Sequence, residues 1–122
     1  MKRRKYRNVK EVVDGITFDS RKEAARYRQL KLLDAAGEIA NIELQPKYPL
    51  IVLQRDGTYL DVKIRSAGYP NGRRATYKAD FRYQDKRSGR QIVEDVKGMD
   101  TTASRLRRAV VEAIYGIEIT LL

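Results

Sequence analysis

Two aspartates and a lysine are the residues in this sequence best placed to do chemistry. Asp80 lies in the run YKADFRY, and Asp95 and Lys97 lie in QIVEDVKG, with the polar segment QDKRSGR between. Both runs alternate apolar and polar residues, the period of a strand, so the segment reads as a hairpin. With Arg87 and Ser88 at the centre of the turn, Asp80 falls opposite Asp95 and Lys78 opposite Lys97. Ala79, Phe81, Tyr83, Ile92 and Val96 then share the other face, and a slip by one residue would split that apolar set. Lys97 follows Asp95 by two residues and projects from the same face. Glu94 points to the apolar side; a shifted register would make it the ligand in place of Asp95, but only Asp95 shares a face with Lys97.

Facing carboxylates need an explanation. At a separation of about 5 Å and an effective dielectric near 20 they repel by roughly 3 kcal/mol, and like charges opposed on a sheet are destabilising. A shared proton would raise one pKa, neighbouring lysines would screen the pair, and a divalent cation would bridge the oxygens. The cation accounts for most, because the chain carries 26 lysines and arginines against 16 acids, a formal charge of +10 that calls for a polyanionic partner. A carboxylate pair with a lysine beside it is then a sensible unit for cation-assisted hydrolysis at phosphate. The alternative is an ordinary solvated sheet face with a salt bridge.

Composition narrows the chemistry. The sequence has no histidine and no cysteine. Ser-His and Cys-His nucleophiles, disulfides and zinc sites built on imidazole or thiolate are excluded. A metal must be held by oxygen, which points to Mg²⁺, with Mn²⁺ as a substitute. No apolar run approaches the roughly 20 residues of a membrane span, and the basic start has no apolar stretch after it, so neither a membrane partner nor a signal peptide is expected. The expected location is the cytoplasm.

The 122 residues suit one domain, 11–122, behind a basic arm over 1–10 that holds six lysines and arginines. Asp14-Gly15 signals a hairpin. Ser20 with Glu23 forms a capping box, Ala24, Tyr27, Leu30 and Leu33 follow helical spacing, and Gly37 stops a helix spanning roughly 20–36. IANIELQPKYPLIV reads as strand, break at Pro46, strand; Asp56-Gly57 is a turn, and YLDVKIRS is a further strand. Residues 67–74, AGYPNGRR, read as a mobile loop. A second helix follows Gly98 with Leu106, Val110, Ala113 and Ile114 on one face and Gly116 as its cap, and IEITLL closes as a strand. A strand-helix-strand ending makes a parallel crossover. The fold class is α/β on the α+β border: a mixed β-sheet flanked by helices, in the order α-β-β-β-α-β.

KADF followed by VEDVKG resembles the PD-(D/E)XK nuclease superfamily, with Ala79 where the motif names proline. Together with FDSRKEAARYRQLKLLDAAGEI, ELQPKYPL and YGIEI, the pattern resembles a phage-borne family of small PD-(D/E)XK endonucleases, over nearly the whole chain after the arm. The resemblance implies a restriction-endonuclease-like fold and a metal-dependent endodeoxyribonuclease. Related small members resolve Holliday junctions as homodimers, so it implies branched or four-way-junction DNA as substrate, a homodimer, and the host-cell cytoplasm if the chain is phage-encoded. Glu23 matches the helical acid that completes the metal site, beside Asp80 and Asp95, with the Val96 carbonyl as a further ligand. Lys97 would orient or activate the water, and cleavage would leave a 5′-phosphate. Gln45 matches a position that lines the site.

Glu23 has an ordinary role open to it as part of the cap. Lys2, Arg3, Arg4, Lys5 and Arg7 of the arm, and Arg73 and Arg74 of the expected loop, are candidate contacts to the DNA backbone. Arg105 and Arg108, one helical turn apart, are either further phosphate contacts or a solvated helix face. The rival functions are a nicking or non-specific nuclease of the same fold, and a non-catalytic DNA-binding protein.

Overall fold

The computed structural model describes residues 9–96 and 99–122. It opens with the expected hairpin, β1 (Glu11–Val13) against β2 (Ile16–Phe18). Asp14 and Gly15 both take positive φ, 53° and 75°, the conformation that a two-residue hairpin turn requires. Ser20 caps α1 (Arg21–Ala35), its Oγ accepting from the Glu23 N–H at 3.1 Å. Then follow β3 (Ile39–Leu44), β4 (Lys47–Pro49), β5 (Ile51–Leu53), β6 (Tyr59–Asp61), β7 (Lys63–Ser66), β8 (Tyr69–Arg74) and β9 (Thr76–Lys78). The chain continues through β10 (Phe81–Asp85), β11 (Gln91–Asp95), α2 (Thr102–Tyr115) and β12 (Ile119–Leu121).

The central sheet is mixed, in the order β12-β11-β10-β3. β10 runs antiparallel to both neighbours and β12 parallel to β11, so the expected parallel ending is present. The hairpin has the register read from the sequence: Phe81 opposes Glu94 and Tyr83 opposes Ile92. Side chains therefore alternate between two cores. Phe81, Tyr83 and Val96 pack with Phe18, Ala24, Tyr27 and Leu30 on the α1 side. Val93 and Ile119 pack with Tyr48, Tyr77, Ala79 and Val111 on the α2 side. Each side chain that is fully buried, such as Phe81 or Leu30, contributes roughly 1.5–3 kcal/mol relative to exposure. The result is a mixed α/β architecture in which a sheet is covered by a helix on each face.

Three local expectations are corrected. The run 77–83 is not one strand but two, broken at Ala79 and Asp80, so Ala79 joins the α2-side core instead of sharing a face with Phe81. Pro46 has no N–H to continue the ladder. Opposite the break, Gln45 takes φ 51° and donates to the Asp80 carbonyl at 2.9 Å, while Ala79 donates to the Pro46 carbonyl at 3.1 Å. Both strands thus step together. On α2 the buried residues are Arg108 and Val111, whereas Leu106 is 66% exposed. The helix turns toward the sheet the face bearing Val111 and an Arg108–Asp100 ion pair, and the expected apolar stripe is rotated outward. The third correction is the expected loop at 67–74, most of which is the strand β8, paired with β7.

β4 to β9 form three two-stranded ribbons: β4–β9, β5–β6 and β7–β8. They meet at Leu50, Val62 and Ala75, whose backbones bond in a ring: Leu50 N–H to Ala75 O (2.8 Å), Ala75 N–H to Val62 O (2.8 Å) and Val62 N–H to Leu50 O (2.9 Å). β4–β9 is the stem on the α2-side core, and the other two ribbons are prongs.

Candidate active site

The step at Ala79–Asp80 is what aims the Asp80 carboxylate. Its N–H donates to the Glu94 carbonyl at 3.1 Å, and the Val96 N–H donates back to Asp80 Oδ2 at 2.6 Å. The carboxyl is therefore clasped at the end of the β10–β11 ladder, beside the carboxyls of Asp95 and Glu23. Burial pushes the Asp80 pKa up to about 8; the hydrogen bond with Asp95 adds to the rise, the Val96 N–H opposes it, and Glu23 adds further. Burial and the neighbouring acids thus favour the protonated form of Asp80.

Asp95 is 2% exposed, and the Tyr77 hydroxyl donates to its Oδ2. Burial, then Asp95 itself, raises the Tyr77 pKa above the ordinary phenol value, so the hydroxyl stays a donor at neutral pH. Glu23 comes from the first turn of α1. Its backbone N–H donates to the Ser20 cap, while its carboxyl stands by Asp80 instead of reaching back to the Ser20 amide as a capping box would have it. Glu23, Asp80 and Gln45 line one cleft of about 130 Å³, walled by Ile16, Phe18, Leu44 and Phe81.

Glu94 has a different environment. It points to the α1 side, where Arg26 grips it with two bonds, Nε to Oε1 at 2.9 Å and Nη2 to Oε2 at 2.6 Å, and the Tyr83 hydroxyl donates to Oε2. This fork holds the α1–sheet interface together. It raises the Arg26 pKa, and burial followed by Glu94 raises that of Tyr83 to about 12. With Glu94 so committed, the side chain that joins Asp80 is Asp95.

Lys97 lies outside the described residues, as do Lys2, Arg3, Arg4, Lys5 and Arg7. Val96 is placed by its N–H bond to Asp80. Asp100 is held from α2: Arg108 makes a two-pronged pair with it, both bonds 2.8 Å. Arg108 is 7% exposed, so its expected role as a phosphate contact gives way to a structural one. Arg105 is exposed and bonds to the Asp100 carbonyl and Thr102. Arg73 and Arg74 lie on β8, away from the cleft, with Arg74 paired to Asp61 at 2.9 Å.

Sequence reasoning missed Tyr77, Tyr83 and Arg26 as partners of the acids, and Asp100 as the partner of Arg108. Arg26 was legible in principle, one helical turn from Glu23. The tyrosines read as apolar strand positions, and nothing local distinguishes a core tyrosine from one that also orients a carboxylate.

Among the described residues no three of His, Cys, Asp and Glu converge as a ready metal-binding group. The three acids instead touch through Asp80, which meets both Asp95 and Glu23. Their donor chemistry fits a hard divalent cation: the side chains offer oxygen only, with the half-buried Asp80 carboxyl at the centre. Among the described residues no helix is long and apolar enough to cross a membrane.

No curated protein and no solved structure matches the chain. Residues 3–121 match the model of a family described as a protein of unknown function, DUF1064. A match over nearly the full length makes the chain a member of the DUF1064 family.

Proposed function

We propose that this protein is a metal-dependent endodeoxyribonuclease in which Glu23, Asp80 and Asp95, with the Val96 carbonyl, hold Mg²⁺ or Mn²⁺. The observation that carries the reading is geometric: the Asp80 carboxyl is half-buried, held by the Val96 N–H at 2.6 Å, set beside the carboxyls of Asp95 and Glu23, and lines one cleft with Glu23 and Gln45. A divalent cation held by these carboxyls would offset their mutual repulsion. The bound ion would supply Lewis-acid stabilisation of charge developing on a phosphoryl oxygen.

The chain's own groups do the rest. Tyr77 fixes the orientation of Asp95, and the Val96 N–H fixes that of Asp80. Lys97, two residues after Asp95, orients the attacking water and balances negative charge at phosphorus. Water adds to phosphorus, the bond to the 3′ oxygen breaks and that oxygen takes a proton, leaving a 5′-phosphate and a 3′-hydroxyl. Six strands, β4 to β9, stand between β3 and β10; with these and the β1–β2 hairpin set aside, α1, β3, β10, β11, α2 and β12 run α-β-β-β-α-β, and on that core we base the restriction-endonuclease-like reading. The substrate is branched DNA, a four-way junction cut by a homodimer so that two strands are nicked symmetrically.

The test is cleavage of a synthetic four-way junction, a flap and a linear duplex, each in Mg²⁺ and in EDTA, by wild type, Asp80→Asn and Lys97→Ala. Paired nicks in the junction that need metal, Asp80 and Lys97 are expected. Full cleavage by either folded variant would remove the site assignment. Equal cutting of duplex would keep the nuclease and remove branch selectivity. Binding without cutting in any divalent ion would make the protein a non-catalytic DNA-binding one.

A further inference from the structure

The β7–β8 ribbon has no layer packed on it. Its residues are exposed along both strands save for Gly72. A lone two-stranded ribbon is marginal in water, and this one is held at its base by the Leu50–Val62–Ala75 ring of backbone bonds. Gly72 takes φ 78°, and a Cβ there would come within 3.1 Å of the Lys63 Cβ, so the two strands close tightly only because that residue is glycine.

Its charge is of one sign. Between Val62 and Thr76 there are four basic residues and no acidic one. Arg74 is spent on Asp61. Among the described residues Lys63, Arg65 and Arg73 pair with no acid, and Arg73 lies over the Tyr69 ring at 5.2 Å. Arg73 also faces Arg107 of α2 across a groove of about 390 Å³ floored by Leu50, Ile64 and Thr76. Two exposed arginines from separate elements line that groove, and among the described residues neither is paired with an acid.

We propose that the β7–β8 ribbon and Arg107 form a second nucleic-acid contact, on the phosphate backbone of a double helix, with Arg73 and Arg107 as its principal cations. A two-stranded ribbon matches the width of a duplex major groove. From Ala75 to Asp80 the chain spans about 16 Å at ~3.3 Å per residue. A duplex held here would reach the carboxylates within about half a helical turn of ~34 Å. A second copy fits worse: isologous pairing would set this ribbon's cations against their own copies. The inference rests on the nuclease reading for its choice of substrate, but its test does not need chemistry.

The experiment is fluorescence anisotropy of a labelled linear duplex about two helical turns long, titrated in EDTA over a range of salt. Wild type is compared with Arg73→Ser/Arg107→Ser and with Lys86→Ser/Arg87→Ser, which removes equal charge from the β10–β11 turn. The ribbon pair should weaken binding by about 10-fold or more and lower the log–log salt slope by about 2. The turn pair should change both much less. Arg73→Lys/Arg107→Lys, with circular dichroism confirming the fold throughout, should recover most of the slope.

Equal losses for the two pairs, or no loss for the ribbon pair, would overturn the proposal. So would a dimer in sedimentation that the ribbon pair dissociates with duplex binding untouched, which would assign the ribbon to a second copy. A lowered slope in a protein that cuts no DNA in any divalent ion would support the ribbon contact while the nuclease reading failed.

Discussion

The carboxylate site and the ribbon arm are built by opposite means. Around Asp80 and Asp95, polar groups are enclosed and each is oriented by a named partner: the Val96 N–H, Tyr77 and, one face away, Arg26 and Tyr83 on Glu94. The arm beyond Leu50 buries little, keeps Leu53, Tyr59 and Ile64 more than half exposed, and takes its shape from backbone bonds at the junction. Enclosure sets protonation and geometry, as a reacting centre requires. Exposure leaves cations hydrated and able to meet a partner whose own charges supply the counter-ions. A change in the first region should act on chemistry and global stability, and a change in the second on binding.

The largest effect is expected from Asp80→Asn. It should lower metal-dependent cleavage by ~10²-fold or more, the scale for losing one electrostatic element of a reacting centre, while duplex affinity in EDTA stays near wild type. Next is Arg26→Ala. Glu94 is 2% exposed, and removing its partner leaves a buried carboxylate unpaired, at a cost of ~3 kcal/mol in urea unfolding. The matched change in the arm, Arg74→Ala, frees an exposed pair with Asp61 and should cost under ~1 kcal/mol. Similar losses for the two would erase the contrast between the regions.

pH sharpens it further. A carboxyl whose pKa rises on folding binds its proton more tightly in the native state. For Asp80 that contribution is complete below the ordinary value of 3.8 and is lost as pH rises through about 8. The metal-free protein should therefore lose stability across that window. Because the carboxyl keeps some contact with water, the loss is ~1–3 kcal/mol after discounting for screening. Asp80→Asn should flatten the profile, read as urea midpoint against pH in EDTA. The most local effect is Gly72→Ala, which strains a positive φ and crowds Lys63. It should cost ~1 kcal/mol, seen as faster amide exchange in β7 and β8 with the central sheet unchanged.

The sequence made legible what short-range rules govern. The Asp14-Gly15 turn, the Ser20 cap, the Gly116 cap and the β10–β11 register all follow from turn chemistry and period-two alternation. The nearness of Asp80 to Asp95 followed from that register, and Glu23 was set beside them by the resemblance and by its place, with Tyr27 and Leu30, on the core-facing edge of α1. What stayed hidden depends on pieces far apart in the chain. The break at Ala79 and Asp80 lies opposite Gln45 and Pro46, where β3 gives way to β4. The outward rotation of Leu106 depends on burying Arg108 against Asp100, a pair that helical periodicity alone does not rank. The strand β8 looked like a loop because Gly, Pro and Asn dominate it, and its partner β7 supplies the order.

The central claim is that the Asp80 cluster is a cation site. The most direct measurement is Mn²⁺ binding without DNA, followed by the electron paramagnetic resonance signal of the free ion near neutral pH, with proton release recorded in weak buffer. Wild type should bind Mn²⁺ and release up to about one proton as Asp80 ionises, and Asp80→Asn should bind far more weakly and release none. Equal binding by the two proteins, or binding without proton release, would contradict the account.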